Sequence, residues 1–313
     1  MKSLITGVAG FIGSHLAEKL LQDGHEVLGI DKFLDNYPRT FKDNHLSAFA
    51  QHPKFSFLDR DLLLADLKQL MGDVTYVFHL AGQPGVRSSW GQDFAKYSEN
   101  NIRATQMLLE AARGLKLTKF VFASTSSVYG DTDDLPMREE GQTRPVSPYG
   151  VSKLAAEHLC YLYWKAFGVP TVALRFFTVY GPRQRPDMFF HIFMRGLLRG
   201  ERVPLYDDGE QTRDFTFCTD IVSGILGGAF YPGSGEVFNL GGGTQTSLLN
   251  AIAMIERIAG RSARLERFDR QKGDVRHTSA SIEAAKAKLG YLPCMGLEEG
   301  LVREWDWIRT LGY

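Results

Sequence analysis

Short apolar runs alternate with longer helical stretches through the first half of this chain, and that alternation restricts the possible folds more than any other feature. Ser3–Thr6, Glu26–Ile30, Lys54–Leu58, Tyr76–Leu80, Lys119–Ser124 and Thr171–Phe176 have strand length, while Phe11–Asp23, Leu63–Leu70, Tyr97–Gly114 and Pro148–Phe167 have helix length. Short apolar strands interleaved with helices predict an α/β fold, a doubly wound parallel sheet covered on both faces. After Phe177 the pattern loosens and becomes rich in arginine, glycine and proline. Phe215–Ile225 and Val237–Leu240 are apolar enough to return to the first domain. The expected division is therefore 1–177 plus roughly 214–244 for the large domain, with 178–213 and 245–313 forming a smaller, discontinuous α/β domain. A chain of 313 residues that is 44% hydrophobic can bury two such lobes.

Lysine plus arginine balance aspartate plus glutamate at 36 each, so no bulk field recruits nucleic acid or an anionic membrane, and neither partner is expected. Any anion must be met by local arginines. Cys160, Cys218 and Cys294 are widely spaced and read as buried free thiols of a reducing compartment. The first strand starts at once, which predicts no signal peptide, and no apolar run approaches membrane-spanning length. A cytoplasmic protein is expected. The histidines lack metal-ligand spacing, so no metal is expected.

Gly7-Val8-Ala9-Gly10-Phe11-Ile12-Gly13 follows the first strand and opens the first helix. Glycines also mark ordinary strand–helix turns. Here they would let the backbone turn tightly and approach a pyrophosphate at the helix N-terminus, with Phe11 and Ile12 supplying the first turn. Asp31 closes the second strand, where a carboxylate can bind both hydroxyls of an adenosine ribose and repel a 2′-phosphate. NAD is expected over NADP, a preference that neighbouring Lys32 weakens without reversing. Asp61-Leu62, after the third strand, suits a contact with the adenine edge.

Tyr149 and Lys153 stand four apart on a predicted helix and so share one face. In an arbitrary helix this would be an ordinary surface pair. Ser147-Pro148, however, reads as a helix start, which places Tyr149 beside a site. Ser124-Thr125-Ser126-Ser127 ends one strand in hydroxyls, and His79-Leu80-Ala81-Gly82 ends its neighbour in small residues that admit a nicotinamide ring. A nearby ammonium favours phenolate, so Lys153 is expected to lower the pKa of Tyr149 and make it a base. A base beside a nicotinamide means carbinol oxidation.

Gly7–Gly13, His79–Gly82, Tyr97 with Asn101, Ser124–Gly130, Tyr149–Lys153, Arg175–Pro182 and Gln211–Phe215 together resemble the extended short-chain dehydrogenase/reductases of the nucleotide-sugar epimerase and dehydratase family. The resemblance covers nearly the whole chain. It implies a Rossmann-type NAD domain and a nucleotide-sugar domain. It also implies Tyr149 as base, Lys153 on a nicotinamide ribose, Thr125 on the reacting hydroxyl, and Asn101 and Ser124 in the cofactor pocket with Leu80, Ala81 and Gly82. Dehydratases of the family carry an Asp-Glu pair after the catalytic threonine, and decarboxylases a glutamate at the position of Ser127. Ser126-Ser127 supplies neither, which leaves a 4-epimerase.

Thr178, Arg185 and the run Gly85–Trp90 containing Arg87 are similar to the UDP-glucuronate 4-epimerases. That similarity implies conversion of UDP-glucuronate to UDP-galacturonate through a transient 4-keto sugar, with a hydride leaving C4 and returning to it. A 4-keto-glucuronate is a β-keto acid, so its carboxylate must be held out of line with the carbonyl. Thr178 and Arg185 suit that task, with Ser126 and Ser127 beside them. Arg183 and Arg185 also fit a solvated loop or a diphosphate contact. Arg213 and Arg276 resemble the diphosphate clamp, and Asp274 suits a ribose hydroxyl. UDP-glucose epimerase, UDP-glucuronate decarboxylase, a non-catalytic NAD sensor and an NADP-dependent carbonyl reductase are the alternatives. Apolar residues on more than one face of Tyr97–Gly114 and Pro148–Phe167 predict a homodimer through a four-helix contact.

Overall fold

The computed structural model describes residues 1–313. Seven parallel strands form its large sheet: β1 (Lys2–Thr6), β2 (Glu26–Asp31), β3 (Phe55–Asp59), β4 (Tyr76–His79), β5 (Lys119–Thr125), β6 (Thr171–Phe176) and β10 (Glu236–Leu240), ordered β10-β6-β5-β4-β1-β2-β3. Strand order reverses between β1 and β4, which opens a crevice at the carboxyl edge of the sheet. Alternation along β5 shows why these runs are apolar throughout. Phe120 and Phe122 join one core, with Leu108, Leu109 and Ala156, while Val121 and Ala123 join the other, with Leu16 and Ile221. Successive side chains point to opposite faces, and both faces are covered.

The remaining strands are short. β7 (Thr178–Tyr180), β9 (Thr212–Phe217) and β11 (Gln245–Ser247) form one small sheet, ordered β11-β9-β7, and β8 (Arg202–Tyr206) pairs with β12 (Arg264–Phe268) in another. Of the segment expected to return to the large domain, the helix Cys218–Phe230 packs on β5 and β6, whereas Phe215–Phe217 completes the small sheet. The expected 213/214 boundary falls inside β9. No helix is long and apolar enough to cross a membrane.

Three local expectations are corrected. The helix expected at Leu63–Leu70 is a short turn, Leu62–Leu64, followed by a separate helix, Leu67–Met71. Asp61 accepts from the Leu63 N–H and Asp66 from the Gln69 N–H, so each starts its own element. Tyr97–Gly114 is interrupted by a π-helical turn, Ser98–Arg103, between Phe94–Tyr97 and Ala104–Ala112. A further helix, Arg39–Ser47, buries only Lys42, His45 and Leu46 and leaves little apolar trace in the sequence. Cys160 and Cys218 are buried free thiols as expected, but Cys294 is exposed.

Candidate active site

The strand ends at the crevice, or the residues just after them, meet in one cleft of about 230 Å³, whose lining runs from Gly7, Asp31 and Leu80–Gly82 to Ser124, Tyr149, Lys153, Phe176 and Arg185. The glycine loop closes it at the back. Gly7 has φ +74, and a Cβ there would fall 2.8 Å from the Ala81 N, while one on Gly13 would meet the Gly7 carbonyl oxygen at 2.2 Å. Backbone packs directly on backbone here, which only glycine permits. Gly10 precedes the helix Phe11–Gln22 and offers no side-chain cap, so the first N–H groups of that helix stay free for an anion. The loop is braced at Ala9, whose N–H donates to Asp31 Oδ2 at 3.2 Å and whose carbonyl accepts from His45 Nδ1 at 3.0 Å.

Asp31 lies where an adenosine ribose would be recognised. Burial pushes its carboxyl above the ordinary value, against the Phe33 N–H, Lys42 and the Ala9 N–H. Lys32 pairs with Asp61 (2.9 Å) and donates to the Asn100 amide oxygen (2.8 Å), which offsets its pull on a 2′-phosphate. Asp61 in turn is committed to Lys32 and the Leu63 N–H and does not present a free carboxylate to an adenine; its neighbour Leu62 lines the cleft. Asn36, Tyr37 and Lys42 line the same end. Sequence reading passed over them because they lie in an irregular stretch and a weakly patterned helix.

The π-helical turn carries Asn101 inward. Its Oδ1 accepts from the Gln83 N–H (2.7 Å), and its Nδ2 donates to the Gln83 carbonyl (3.1 Å) and to Ser152 Oγ (2.9 Å). Asn101 therefore clamps the strand end after Gly82. Ser124 lines the cleft, and its hydroxyl donates to Glu157 Oε2 at 2.7 Å. Glu157 forms a buried ion pair with Arg175, which also donates to the Tyr129 hydroxyl at 2.8 Å. Glu157 was missed in sequence because a single acid in a helix carries no pattern.

The helix Pro148–Phe167 starts on the Ser147 hydroxyl, which accepts from the Gly150 N–H at 3.1 Å. Gly150 lies so close to the turn Ser126–Val128 that an added Cβ would stand 2.6 Å from the Ser127 carbonyl oxygen. That approach brings Tyr149 to Thr125. Burial raises the Tyr149 phenol, and the groups pulling it down are Thr125 and Arg185 rather than the expected Lys153. Lys153 is itself depressed to about 8, chiefly by burial. The residue is largely buried, and its ammonium, 4.3 Å from the centroid of the Phe122 ring, makes no hydrogen bond within the chain. An ammonium with no partner in the chain, in one cleft with free helix N–H groups, fits a ligand that carries hydroxyls and phosphates, as NAD does.

Arg185 joins this end of the cleft and is held by Asp187. Thr178 begins β7 opposite Phe215. The other expected substrate residues gather beyond it. Arg87 donates to Asp274 at 2.7 Å and lies over the Tyr206 ring; Arg213 donates to the carbonyls of Thr212, Val275 and Arg276; Arg276 pairs with Asp207 and Asp208. Arg87 and Asp274, each assigned to ligand from sequence, also bind each other.

Residues 3–241 match the profile of the NAD dependent epimerase/dehydratase family. The chain is 46% identical to an uncharacterized UDP-glucose epimerase of Bacillus subtilis (strain 168), over 99% of each chain. It is 37% identical to the UDP-glucuronate 4-epimerase of Thermodesulfobacterium geofontis (strain OPF15), over 98% of this chain and 95% of that one. It superposes with a TM-score of 0.97, at 45% identity, on the crystal structure of a UDP-glucuronic acid 4-epimerase from Bacillus cereus in complex with UDP-glucuronic acid and NAD, covering 99% and 100% of the two chains.

Proposed function

Because the chain belongs to the NAD-dependent epimerase/dehydratase family, we propose that it is an isomerase that interconverts UDP-glucuronate and UDP-galacturonate by inverting C4 with tightly bound NAD. One observation carries this reading. The phenol of Tyr149, the unpaired ammonium of Lys153 and the guanidinium of Arg185 line a single cleft with a glycine loop built for a dinucleotide. Bound NAD would supply the acceptor and donor of the C4 hydride, together with a positive ring that favours the Tyr149 phenolate.

The protein's own residues do the rest. Tyr149 takes the proton of the C4 hydroxyl as the alcohol becomes a ketone and returns it on the way back. Thr125 orients that hydroxyl from the strand end. Lys153 holds the cofactor's ribose hydroxyls, and Gly7, Gly10, Phe11, Ile12 and Gly13 hold its pyrophosphate. Thr178, Arg185, Ser126 and Ser127 keep the sugar carboxylate out of line with the transient 4-keto group, so the β-keto acid is not decarboxylated. Arg213 and Arg276 receive the nucleotide diphosphate and Asp274 a ribose hydroxyl, with Arg87 beside them, once their internal partners give way. The large domain, 1–177 with roughly 218–244 now that β9 belongs to the small sheet, carries NAD and the remainder carries the sugar nucleotide. The same reading includes a cytoplasmic location and a homodimer, the latter supported by half-exposed Tyr161, Leu162 and Phe167 on the helix Pro148–Phe167.

The B. subtilis relative's name supports a second reading, a neutral hexose substrate. One experiment separates the two. The purified protein, without added NADH, is given UDP-glucuronate or UDP-glucose in separate tubes, and the products are resolved by NMR. UDP-galacturonate formed much faster than UDP-galactose is expected; preferred turnover of UDP-glucose would overturn the substrate assignment.

A further inference from the structure

Arg185 has five N–H donors, and the structure shows which of them are spent. Its Nε donates to Asp187 Oδ1 at 3.0 Å and its Nη2 to Asp187 Oδ2 at 2.8 Å, so one edge of the guanidinium is closed by a bidentate carboxylate. Nη1 makes no hydrogen bond within the chain. The end-on edge, formed by Nη1 and the second hydrogen of Nη2, therefore remains open, on a side chain that lines the cleft beside Tyr149 and acts on its phenol.

The backbone presets this arrangement. The Met188 N–H donates to the Arg185 carbonyl at 3.1 Å, closing a turn with Pro186 at its second position and Asp187 at its third. Proline fixes φ at the corner, so the two charged side chains emerge together. The turn is anchored on both sides. Gln184 is buried, donates to the Val179 carbonyl and accepts from the His191 N–H, while the Gly181 N–H donates to Glu304 at 2.8 Å. An arginine held on so rigid a loop by one edge has little freedom to seek a partner.

We propose that Asp187 is a positioning residue for the epimerisation: it grips the Nε/Nη2 edge of Arg185 so that the opposite edge faces the sugar carboxylate. The inference rests on the carboxylate role given to Arg185 above. Asp187 does not touch the substrate. It fixes the direction of the guanidinium, and with it the rotation of the carboxylate relative to the C4 carbonyl. It also offsets part of the arginine's charge, which leaves directional hydrogen bonds, rather than raw attraction, to hold the carboxylate.

The test uses the NAD-loaded enzyme and four variants: Arg185→Ala, Asp187→Ala, Asp187→Glu and the double alanine variant. Asp187→Ala is expected to raise KM for UDP-glucuronate roughly tenfold, the effect of losing charge-assisted hydrogen bonds. It should also release UDP-pentose by decarboxylation, a product that a merely looser fold would not create. Asp187→Glu should restore part of both, and in the double variant the loss of Asp187 should add nothing to the loss of Arg185. If Arg185→Ala impairs UDP-glucuronate while Asp187→Ala leaves KM and product purity unchanged, or tightens binding, the positioning role is refuted and the carboxylate reading survives. If Arg185→Ala itself has no effect, both fall. Should Asp187→Ala not fold, Asp187→Asn, which keeps one acceptor, is expected to show a smaller rise in KM with the same byproduct; wild-type behaviour there would refute the role.

Discussion

Gly150→Ala isolates the contact that assembles the reacting centre. In a helix, alanine is favoured over glycine by about 1 kcal/mol, so with open space around it the substitution would stabilise the chain. The space is not open. The new Cβ would stand 2.6 Å from the Ser127 carbonyl oxygen and 2.9 Å from Pro145 Cβ, where ordinary contact begins at 3.4 Å. The helix start and the hydroxyl turn must therefore separate by about 0.8 Å, the difference between 3.4 and 2.6 Å. Overpacking of this kind costs about 1–3 kcal/mol, which the propensity gain partly offsets. Catalysis has no such offset, because the separation pulls Tyr149 from Thr125, and a misplacement near 1 Å costs roughly 100-fold in rate. The assay is kcat for UDP-glucuronate epimerisation by NMR, with urea unfolding alongside. Gly72→Ala serves as control, since its nearest neighbours would lie at 3.5 Å. A Gly150→Ala enzyme within about threefold of the wild-type kcat would refute the argument that this glycine sets the geometry.

Lys153→Met should abolish turnover yet stabilise the NAD-free chain. A pKa of about 8 in place of 10.5 means that the buried ammonium costs about 3 kcal/mol. The unfolded chain holds more protons between those two values, so stability rises with pH across that window and the full cost is present below pH 8. The variant's advantage in urea unfolding is expected to be largest at pH 7 and to shrink as pH climbs towards 10; an advantage independent of pH would show that the lysine's charge is not its source. Glu157→Ala strands Arg175 and frees Ser124, and is expected to cost about 3–5 kcal/mol in the same measurement. A loss below about 1 kcal/mol would mean that water reaches the arginine.

Much of the fold was legible because its signals are local. The first six strands of the large sheet announce themselves as short apolar runs, and the glycine loop, Asp31, Tyr149 and Lys153 each fall at a recognisable strand or helix end. What escaped reading depends on partners distant in sequence. Arg39–Ser47 is a helix with little apolar stripe, whose His45 matters because it meets the Ala9 carbonyl. The π-helical turn around Asn101 was smoothed into a regular helix because one added residue does not disturb an apolar pattern enough to be seen. Arg87 and Asp274 were each assigned to ligand, yet they lie 187 residues apart and bind each other.

The sequence by itself determined the alternation of elements, the residues able to carry a dinucleotide, and a tyrosine and lysine on one helical face, since spacing and residue type decide all three. Only the tertiary structure decided how those groups stand electrically. Burial lifts the Tyr149 phenol, depresses Lys153 and leaves its ammonium without a partner, while Asp187 takes one edge of Arg185 and leaves the other open. The reason is that desolvation and hydrogen-bond direction depend on what surrounds a side chain in space, and chain order does not record those surroundings.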